Sequence, residues 1–305
     1  MKTALSGLLL LCLASTAFAN EGTASLQWSS QIEPSQSVRL GGSAMPELSS
    51  RSVLVLDRVT GQVLLSRNAT RQSPVASITK LMTAVLVLDG GQPLDEKIVI
   101  TTEDRDTLKG TGSRLAIGTR YTRGELLHLA LIASDNRAAH ALARTFPGGL
   151  ERFVAQMNRM AQILGMAQTV FVEPTGLSPG NRSTAVDLAL LVDHIYQHYP
   201  EIRQISVSAS FSLGVQRAAA NFHNTNRLTR MDGWHIGLSK TGFINEAGHC
   251  LVMQAEVAQR DVVIVLLDAD GTHSRAGDAT RIRAWLEADP AMHRLSVPAS
   301  PASRT

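Results

Sequence analysis

The sequence of 305 residues predicts an α+β fold: an antiparallel sheet of about five strands covered by helices, with an inserted all-α subdomain. Short apolar runs rich in Val and Leu occur near both ends of the chain, whereas the middle is dominated by apolar residues at helical spacing. A chain that returns to strands after a helical stretch can complete one sheet with them. We expect the active site in the cleft between the sheet and the helical insertion.

The individual elements follow from local patterns along the chain. Residues 52–57 and 62–65 flank a Thr60-Gly61 turn and predict a β-hairpin. The helix that begins at Ser77 is apolar almost all round, so we expect it to be buried. The remaining predicted elements are four helices, at 126–132, 138–146, 150–164 and 184–198, three strands, at 234–239, 248–257 and 261–268, and a final helix at 275–288.

The first candidate functional motif is Ser77-Ile78-Thr79-Lys80. Residues three apart share one face of a helix, so the Lys80 amine should lie beside the Ser77 hydroxyl. A serine hydroxyl is a poor nucleophile until a base takes its proton, and a lysine can be that base when burial or nearby positive charge lowers its pKa. The tetrad therefore predicts Ser77 as a nucleophile and Lys80 as its base. Alone, it is more typical of a buried core helix with one lysine that reaches the surface.

The second motif, Ser134-Asp135-Asn136, lies between two predicted helices and therefore on a short loop. A Ser and an Asn two residues apart on such a loop can point the same way. Ser134 offers a hydroxyl for proton relay, and the Asn136 amide can hold both the lysine and a peptide group of the substrate. Since Ser, Asp and Asn are also the preferred N-cap residues, ordinary helix capping is the alternative for this motif alone.

The third motif, Lys240-Thr241-Gly242, ends a predicted strand. Lys240 and Thr241 can bind a substrate carboxylate, and Gly242 lets an extended peptide lie against the strand edge. The backbone N–H of Phe243 would join that of Ser77 as the two donors of an oxyanion hole. A lysine that leads into a glycine turn is the alternative for this motif alone.

The three motifs in this order form the pattern of active-site-serine enzymes that are acylated by D-alanyl peptides or β-lactams. The chain resembles the low-molecular-mass penicillin-binding proteins, and within them the D-alanyl-D-alanine endopeptidases of the penicillin-binding protein 7 type. The stretches 74–84, 171–178 and 240–253 carry the likeness, which covers roughly 52–288. One difference is Asp135, where that branch often has Glu.

The resemblance implies a β-lactamase/transpeptidase-like fold and the hydrolysis of D-Ala–diaminopimelate cross-links of peptidoglycan through a Ser77 acyl-enzyme. It implies Lys80 as proton acceptor, Ser134 as relay, and Asn136 and Lys240 as substrate contacts. The partners would be peptidoglycan stem peptides and, as covalent inhibitors, β-lactam antibiotics. No cofactor or metal is implied. The residues alone do not separate an endopeptidase from a D-Ala-D-Ala carboxypeptidase, and the resemblance favours the endopeptidase.

Other chemistries fit the sequence less well. A β-lactamase would need a Glu that positions a deacylating water, and Glu173 lies near that place in the chain but lacks the Asn four residues later. A non-enzymatic β-lactam sensor would need a membrane-spanning segment beyond the signal peptide. The pattern G-x-S-x-G at 176–180 has Pro179 after its serine, which cannot donate the oxyanion N–H. His194 and His198 lack the Glu of H-E-x-x-H zinc peptidases.

The N-terminus predicts export. Lys2, an apolar run at 4–13 and Ala17-Phe18-Ala19 form a predicted signal peptide at 1–19, cleaved after Ala19, so we expect a periplasmic protein. The formal net charge of +3 becomes +2 without Lys2, and no basic run occurs, so nothing indicates nucleic acid as a partner.

Three segments follow the predicted signal peptide. Residues 20–45 are polar and expected to be flexible, 46–290 form the peptidase domain, and the tail at 291–305 is expected to be flexible, without the amphipathic period of a membrane anchor. Cys250 is the single cysteine left after cleavage, and its apolar neighbours indicate a buried, inert thiol.

Overall fold

The computed structural model describes residues 45–214, 220–271 and 273–289. The predicted signal peptide at 1–19, the flexible segment as far as residue 44 and the tail at 291–305 lie outside these residues. Within them, no helix combines the length and the apolar character that crossing a membrane requires.

The described residues form eleven strands and seven α-helices. The strands are β1 (Ser50–Asp57), β2 (Val63–Arg67), β3 (Ser73–Pro74), β4 (Lys97–Val99), β5 (Arg120–Thr122), β6 (Arg182–Ser183), β7 (Ser210–Leu213), β8 (Ala220–His223), β9 (His235–Ile244), β10 (Gly248–Val257) and β11 (Arg260–Ala269). The helices are α1 (Thr79–Asp89), α2 (Arg123–Ile132), α3 (Asn136–Arg144), α4 (Gly149–Ile163), α5 (Ala185–His198), α6 (Pro200–Val207) and α7 (Ser274–Ala288).

The main sheet has five antiparallel strands, as the sequence predicts, and the structure arranges them in the order β2-β1-β11-β10-β9. Its central strands are apolar on both faces. In β1, Val53 and Val55 pack into the core beneath α7, whereas Leu54 and Leu56 pack into the larger core on the opposite face. Because helices cover both faces, these strands have continuous apolar runs rather than alternating ones.

Helices from two parts of the chain cover the sheet. The C-terminal helix α7 packs on β10 and β11 from one side, and α5 packs on β11, β10 and β1 from the other. The core beneath α5 continues without a break into the helical insertion, which includes α1 to α4. The insertion is therefore attached to the sheet by a shared apolar core, and β9 lies at the sheet edge that faces it.

Helix α1 is the buried helix that the sequence predicts. Every residue from Thr79 to Val87 is buried, because the helix packs against α2, α3, α4 and α5. A short 3₁₀ turn, Ala76–Ile78, precedes it, so Ser77 lies in this turn rather than inside the α-helix itself.

Three details differ from the sequence-based prediction. The insertion contains the short strand pairs β4–β5 and β7–β8 besides its helices, and strands of three or four residues are too short to show a period. Helix α6 is an additional element; it begins at Pro200, which ends α5 and suits the first position of a new helix. Strand β9 continues to Ile244 instead of ending at residue 239, because β10 pairs with it along this stretch.

Candidate active site

The turn that holds Ser77 is strained and tightly anchored. Ala76 has a φ of +48°, a conformation that L-residues rarely adopt. Ala76 and Ile78 are buried on either side, and the Thr79 hydroxyl donates to the Ala76 carbonyl oxygen at 2.8 Å. Ser77 remains partly exposed between its buried neighbours, so the turn presents the hydroxyl to the cleft.

Lys80 has no exposed surface, and its amine meets three neutral acceptors. Nζ donates to Ser77 Oγ at 2.9 Å, to Asn136 Oδ1 at 2.6 Å and to the Thr175 carbonyl oxygen at 2.7 Å. These three bonds use the three protons of an ammonium group. If one proton is lost, Asn136 and Thr175 can hold the remaining two, and the lone pair then faces the Ser77 hydroxyl.

The protein environment prepares Lys80 to lose that proton. Burial lowers the pKa of Lys80 from its usual value to about 8, and nearby carboxylates, Glu173 foremost, partly offset this effect. The neutral amine is therefore accessible near neutral pH, which the chemistry of a general base requires.

The three residues of the second motif, in the loop between α2 and α3, make different contacts. Ser134 has a φ of +57° and its Oγ accepts a hydrogen bond from Lys240 Nζ at 2.9 Å. Asn136 begins α3 and contacts Lys80. Asp135 is the N-cap of α3 and accepts from the Ala138 N–H at 2.9 Å. The capping alternative therefore applies to Asp135, while its two neighbours face the cleft.

Lys240 and Thr241 lie within β9 opposite this loop. Lys240 is almost completely buried, and besides Ser134 it donates to the Thr241 carbonyl oxygen at 2.9 Å. The Thr241 hydroxyl lies 2.6 Å from that of Thr225. The structure thus links the first motif to the second through Lys80 and Asn136, and the second to the third through Ser134 and Lys240.

Gly242 lets β9 approach the nucleophile turn. A Cβ atom at this position would lie 3.0 Å from Ser77 N and 3.0 Å from the Ala76 Cβ. The absence of a side chain at Gly242 therefore allows β9 to pack against the turn. This is a second reason for glycine here, besides the room that it leaves for a peptide. Phe243 follows directly on the same edge strand, and its half-exposed ring stacks on His249 with 4.3 Å between ring centroids.

Lys80 and Lys240 both have a lowered pKa, whereas the sequence indicates this only for Lys80. The sequence predicts a lowered pKa for Lys80 alone, with Lys240 charged as a carboxylate ligand. Burial, and then the positive charges of Lys80 and Arg275, lower the pKa of Lys240 well below its usual value. The expected contrast is therefore absent in the unliganded protein, and a bound carboxylate would be needed to favour the charged form of Lys240.

The sequence motifs do not reveal the loop that contains Thr175, whose carbonyl oxygen accepts a hydrogen bond from Lys80. Glu173 organises this loop, and its carboxylate oxygens accept five hydrogen bonds, from the backbone N–H groups of Thr175, Gly176 and Ser178, the Thr175 hydroxyl and the Asn181 amide. These bonds fix the Thr175 carbonyl that accepts from Lys80. The sequence offered one signal, an acidic residue two positions before Thr175, but periodicity gives no indication that residues 80 and 175 meet.

Gly176 brings the Glu173 loop against the nucleophile turn. Its φ is +86°, and a Cβ atom there would lie only 1.9 Å from the Ala76 carbonyl oxygen. Two glycines, Gly176 and Gly242, therefore pack against the Ser77 turn from different sides. The stretch 176–180 forms a turn, in which the Ser178 hydroxyl accepts from the Gly180 N–H, as its Pro-Gly sequence indicates.

Arg275 is a second residue that the motifs did not reveal. Its guanidinium donates to the Gly242 carbonyl oxygen at 2.8 Å and lies 3.4 Å from His249 Nδ1. Burial lowers the pKa of Arg275, since these partners are neutral. A cation in the first turn of a predicted helix opposes the helix dipole, and this conflict was the available signal in the sequence.

Other candidate chemistries find no support in the described part of the chain. No group of three or more His, Cys, Asp or Glu side chains there could hold a metal ion. The rings of His194 and His198 pack against each other in a tilted arrangement, with 4.8 Å between ring centroids. Cys250 is fully buried, and burial raises the pKa of its thiol to about 11, which agrees with the inert thiol that the sequence predicts.

Known proteins are similar to this chain in sequence and in fold. The family model described as D-alanyl-D-alanine carboxypeptidase matches residues 41–271. A D-alanyl-D-alanine endopeptidase of Pseudomonas aeruginosa is 44% identical over 265 residues, which span 86% of this chain and 85% of that protein. One of Escherichia coli is 44% identical over 248 residues, or 80% and 79% of the two chains. Penicillin-binding protein D2 of Listeria monocytogenes, solved with cefotaxime bound, is 29% identical with a TM-score of 0.70 over 79% of this chain and 98% of that chain.

The electrostatics of Lys80 predict a titration with a specific dependence on Glu173. The side-chain signals of Lys80, one of only five lysines, should titrate near pH 8 in NMR spectra of lysine-labelled protein, assigned with Lys80→Arg. Because the Glu173 carboxylate favours the charged amine, Glu173→Gln should move the midpoint to lower pH. Glu256→Gln, at the opposite end of β10, should leave it unchanged. A midpoint above pH 10 in the native protein would contradict this account of the site.

The packing of Gly176 predicts a large and local effect of one methyl group. Gly176→Ala should lower the melting temperature by about 5–10 °C, because it adds a backbone overlap to left-handed strain of about 1–3 kcal/mol. Gly118→Ala is the matched control, since Gly118 has a φ of +85° and a Cβ atom added to it would meet nothing within 4 Å. Equal melting temperatures for the two variants would show that the Glu173 loop does not press on the Ser77 turn.

Proposed function

The chain belongs to the D-alanyl-D-alanine carboxypeptidase family, and from that premise we propose that it is a serine D,D-peptidase that hydrolyses D-Ala–diaminopimelate cross-links of peptidoglycan. The observation that carries the proposal is the fully buried Lys80 amine, which lies 2.9 Å from the accessible Ser77 hydroxyl. A buried amine with a lowered pKa beside a serine is an activated nucleophile.

Acylation begins when the neutral Lys80 amine takes the proton of Ser77. Ser77 Oγ attacks the carbonyl carbon of D-alanine, and the negative charge develops on the carbonyl oxygen. The backbone N–H groups of Ser77 and Phe243 are the proposed donors to that oxygen. The approach of Gly242 to Ser77 N supports this pairing, because it brings the edge of β9 beside the turn.

The leaving amine must then receive a proton. Lys80 holds the proton taken from Ser77, and Ser134 is the proposed relay between it and the leaving group. The contact of Ser134 Oγ with Lys240 Nζ, at 2.9 Å, orients the hydroxyl for this task. Water then attacks the acyl-enzyme, with Lys80 as base in the reverse direction.

The basic side chains beside β9 indicate how the leaving side of the substrate is bound. Lys240 is buried and Arg275 is half-buried, and neither has a carboxylate partner in the described residues, so an incoming carboxylate would compensate them. The leaving amine is attached to a carbon that carries a carboxylate, both in a cross-link and in a terminal D-Ala-D-Ala. Asn136 is the proposed contact for the peptide group on the acyl side.

The choice between endopeptidase and carboxypeptidase rests on the relatives. The two bacterial relatives at 44% identity are named endopeptidases, whereas the family description names a carboxypeptidase. We favour the endopeptidase on this ground, with the carboxypeptidase as the alternative.

β-Lactams are the proposed covalent inhibitors, since the Listeria relative is described in a cefotaxime-bound form. Rapid β-lactamase turnover is disfavoured by Glu173. Both of its carboxylate oxygens are committed to the loop 175–181, so Glu173 is a structural anchor of that loop rather than a residue poised on a deacylating water.

The proposed setting is the periplasm, where peptidoglycan is found. This part of the proposal rests on the predicted signal peptide with cleavage after Ala19.

The reaction products decide between the two peptidase activities. Purified cross-linked muropeptide dimers should be converted to monomers by the mature protein, and pentapeptide stems should release little free D-alanine. Ser77→Ala should abolish product formation and covalent labelling by fluorescent penicillin, because it removes the nucleophile. Free D-alanine as the main product would replace the endopeptidase by the carboxypeptidase. Loss of the label within seconds would favour a β-lactamase.

Arginine substitutions separate the proposed roles of the two buried lysines. Lys80→Arg should reduce the second-order rate of acylation by a β-lactam by several orders of magnitude, because arginine keeps the charge but cannot act as a base. Lys240→Arg should lose about 1–3 kcal/mol of binding through a poorer charged hydrogen bond and still be acylated measurably. Lys97→Arg is the control, because the Lys97 side chain is exposed at the start of β4. Equal losses at Lys80 and Lys240 would contradict the assigned roles.

A further inference from the structure

Asn136 makes a second side-chain contact besides the one with Lys80. Its Nδ2 atom donates to the Thr111 hydroxyl at 2.9 Å, while its Oδ1 atom accepts from Lys80. Thr111 lies in the loop between β4 and β5, outside the three motifs. A side-chain amide that rotates by half a turn exchanges its oxygen and its NH2 group. The contact with Thr111 therefore bears on which of these two groups faces the lysine.

Asp106 determines which way the Thr111 hydroxyl points. One of its carboxylate oxygens accepts from the N–H groups of Leu108 and Lys109, at 2.8 and 2.9 Å. The other accepts from the Thr111 N–H at 2.8 Å and from the Thr111 hydroxyl at 2.6 Å. Burial raises the pKa of Asp106, but these hydrogen bonds outweigh it and hold the pKa below its usual value. Asp106 is therefore ionised near neutral pH, and an ionised carboxylate only accepts.

The hydrogen-bond chain from Asp106 fixes one orientation of the Asn136 amide. Because the Thr111 hydroxyl gives its one hydrogen to Asp106, it can only accept from Asn136, and the NH2 group must face it. The amide oxygen then faces Lys80. A charged Lys80 favours the same orientation, since an ammonium group only donates. The second hydrogen of Nδ2 is left for a peptide group of the substrate.

The orientation of the amide matters once Lys80 has lost a proton. A neutral amine has two N–H groups and one lone pair. The Thr175 carbonyl oxygen and Asn136 Oδ1 can only accept, so the lone pair is left for the Ser77 hydroxyl. If the amide were reversed, its NH2 group could donate to that lone pair. Lys80 would then be neutral but unable to accept the proton of Ser77.

The loop that contains Thr111 is tied to both sides of the cleft. Lys109 forms an ion pair with Glu246, in the turn between β9 and β10. The Ser113 hydroxyl donates to Asp135, the neighbour of Asn136, at 2.8 Å. Thr111 itself is exposed, and water could replace an exposed hydroxyl that was free to move. These ties hold the hydroxyl beside the amide.

We propose that Thr111 is a positioning residue of the reaction and that Asp106 acts through it. Together they keep the Asn136 amide in the orientation that leaves the neutral Lys80 amine to accept from Ser77. The inference rests on the proposed D,D-peptidase function, in which Lys80 is the base, and it adds a reason why the neutral amine is productive.

A reversed amide would have a specific effect on the pH dependence of acylation. Among the described residues, the ionisable groups that act on the Lys80 amine are Glu173, Asp135, Asp106 and Lys240. Replacing the Thr111 hydroxyl by a methyl group changes none of these charges. The charged amine still holds the amide oxygen, but the neutral amine gains the reversed state. This gain lowers the pKa of Lys80 and makes the same fraction of the neutral amine unproductive.

The second-order rate constant of acylation by fluorescent penicillin, measured between about pH 6 and pH 10, tests the proposal. Thr111→Val should match the native rate on the acid side of the native midpoint. Its plateau at high pH should be about threefold to tenfold lower, the range for the loss of one hydrogen bond. The midpoint should fall by the logarithm of the same factor, so that a tenfold lower plateau accompanies a midpoint about one pH unit lower.

Three further variants complete the design. Thr111→Ser should keep the native profile, because it retains the hydroxyl. Asp106→Asn should raise the rate on the acid side, since one carboxylate that favours the charged amine is lost, but its plateau should fall as in Thr111→Val. Thr107→Val is the control in the same loop, because the Thr107 side chain is exposed and has no hydrogen bond within the described residues. The final extent of labelling gives the concentration of folded protein.

The shape of the profiles separates positioning from a structural role. A rate for Thr111→Val that is lower by one factor at every pH, or a fully native profile, would overturn the proposal. A native plateau in Asp106→Asn would overturn the role of Asp106 and leave that of Thr111. If penicillin does not acylate the native protein at any pH, the proposed function fails, and the positioning role fails with it.

Discussion

A lysine amine with no exposed surface must find an acceptor for each of its protons, and in this protein the three acceptors come from three separate parts of the chain. Lys80 meets the hydroxyl of Ser77 one turn earlier, the amide of Asn136 in the helical insertion and the carbonyl of Thr175 in a loop of the same insertion. A buried amine without such partners would cost several kcal/mol, so these contacts must form together with the fold. The position of one amine thus ties the nucleophile turn, the loop before α3 and the Glu173 loop into a single unit.

The surrounding structure is arranged to keep that unit rigid. Glu173 fixes the Thr175 carbonyl, and Gly176 and Gly242 let the loop and strand β9 press against the strained turn at Ala76. Strain of this kind persists only where neighbouring contacts over-determine it. Here the neighbours are a loop anchored by a carboxylate and a strand anchored by ladder pairing with β10. The Ser77 hydroxyl is therefore held in place before a substrate arrives, which is the condition under which an active-site group acts without reorganisation.

The electrostatic character of the cleft changes from one side to the other. Lys240 and Arg275 are the basic side chains beside β9, and burial lowers the pKa of each, so a bound carboxylate would favour their charged forms. On the Asn136 side of the cleft, the cavity that Asn136 and Thr175 line has more carboxylates than guanidinium groups in its wall. Because charged groups in a cleft act over several ångströms, this distribution of charge can orient a charged peptide before contacts form.

The sequence by itself determined the three motifs, the order of the main elements, the buried character of α1 and the pairing of Ser77 with Lys80, since each depends on residues that are neighbours along the chain. The tertiary structure decided what depends on distant residues. Thr175 reaches Lys80 across 95 positions, Lys240 reaches Ser134 across 106, and Arg275 reaches Gly242 across 33. It also decided that Lys240, like Lys80, has a lowered pKa, because desolvation depends on which segments pack around the amine. Periodicity and spacing describe one helix or strand at a time, so they cannot show which loop closes over it.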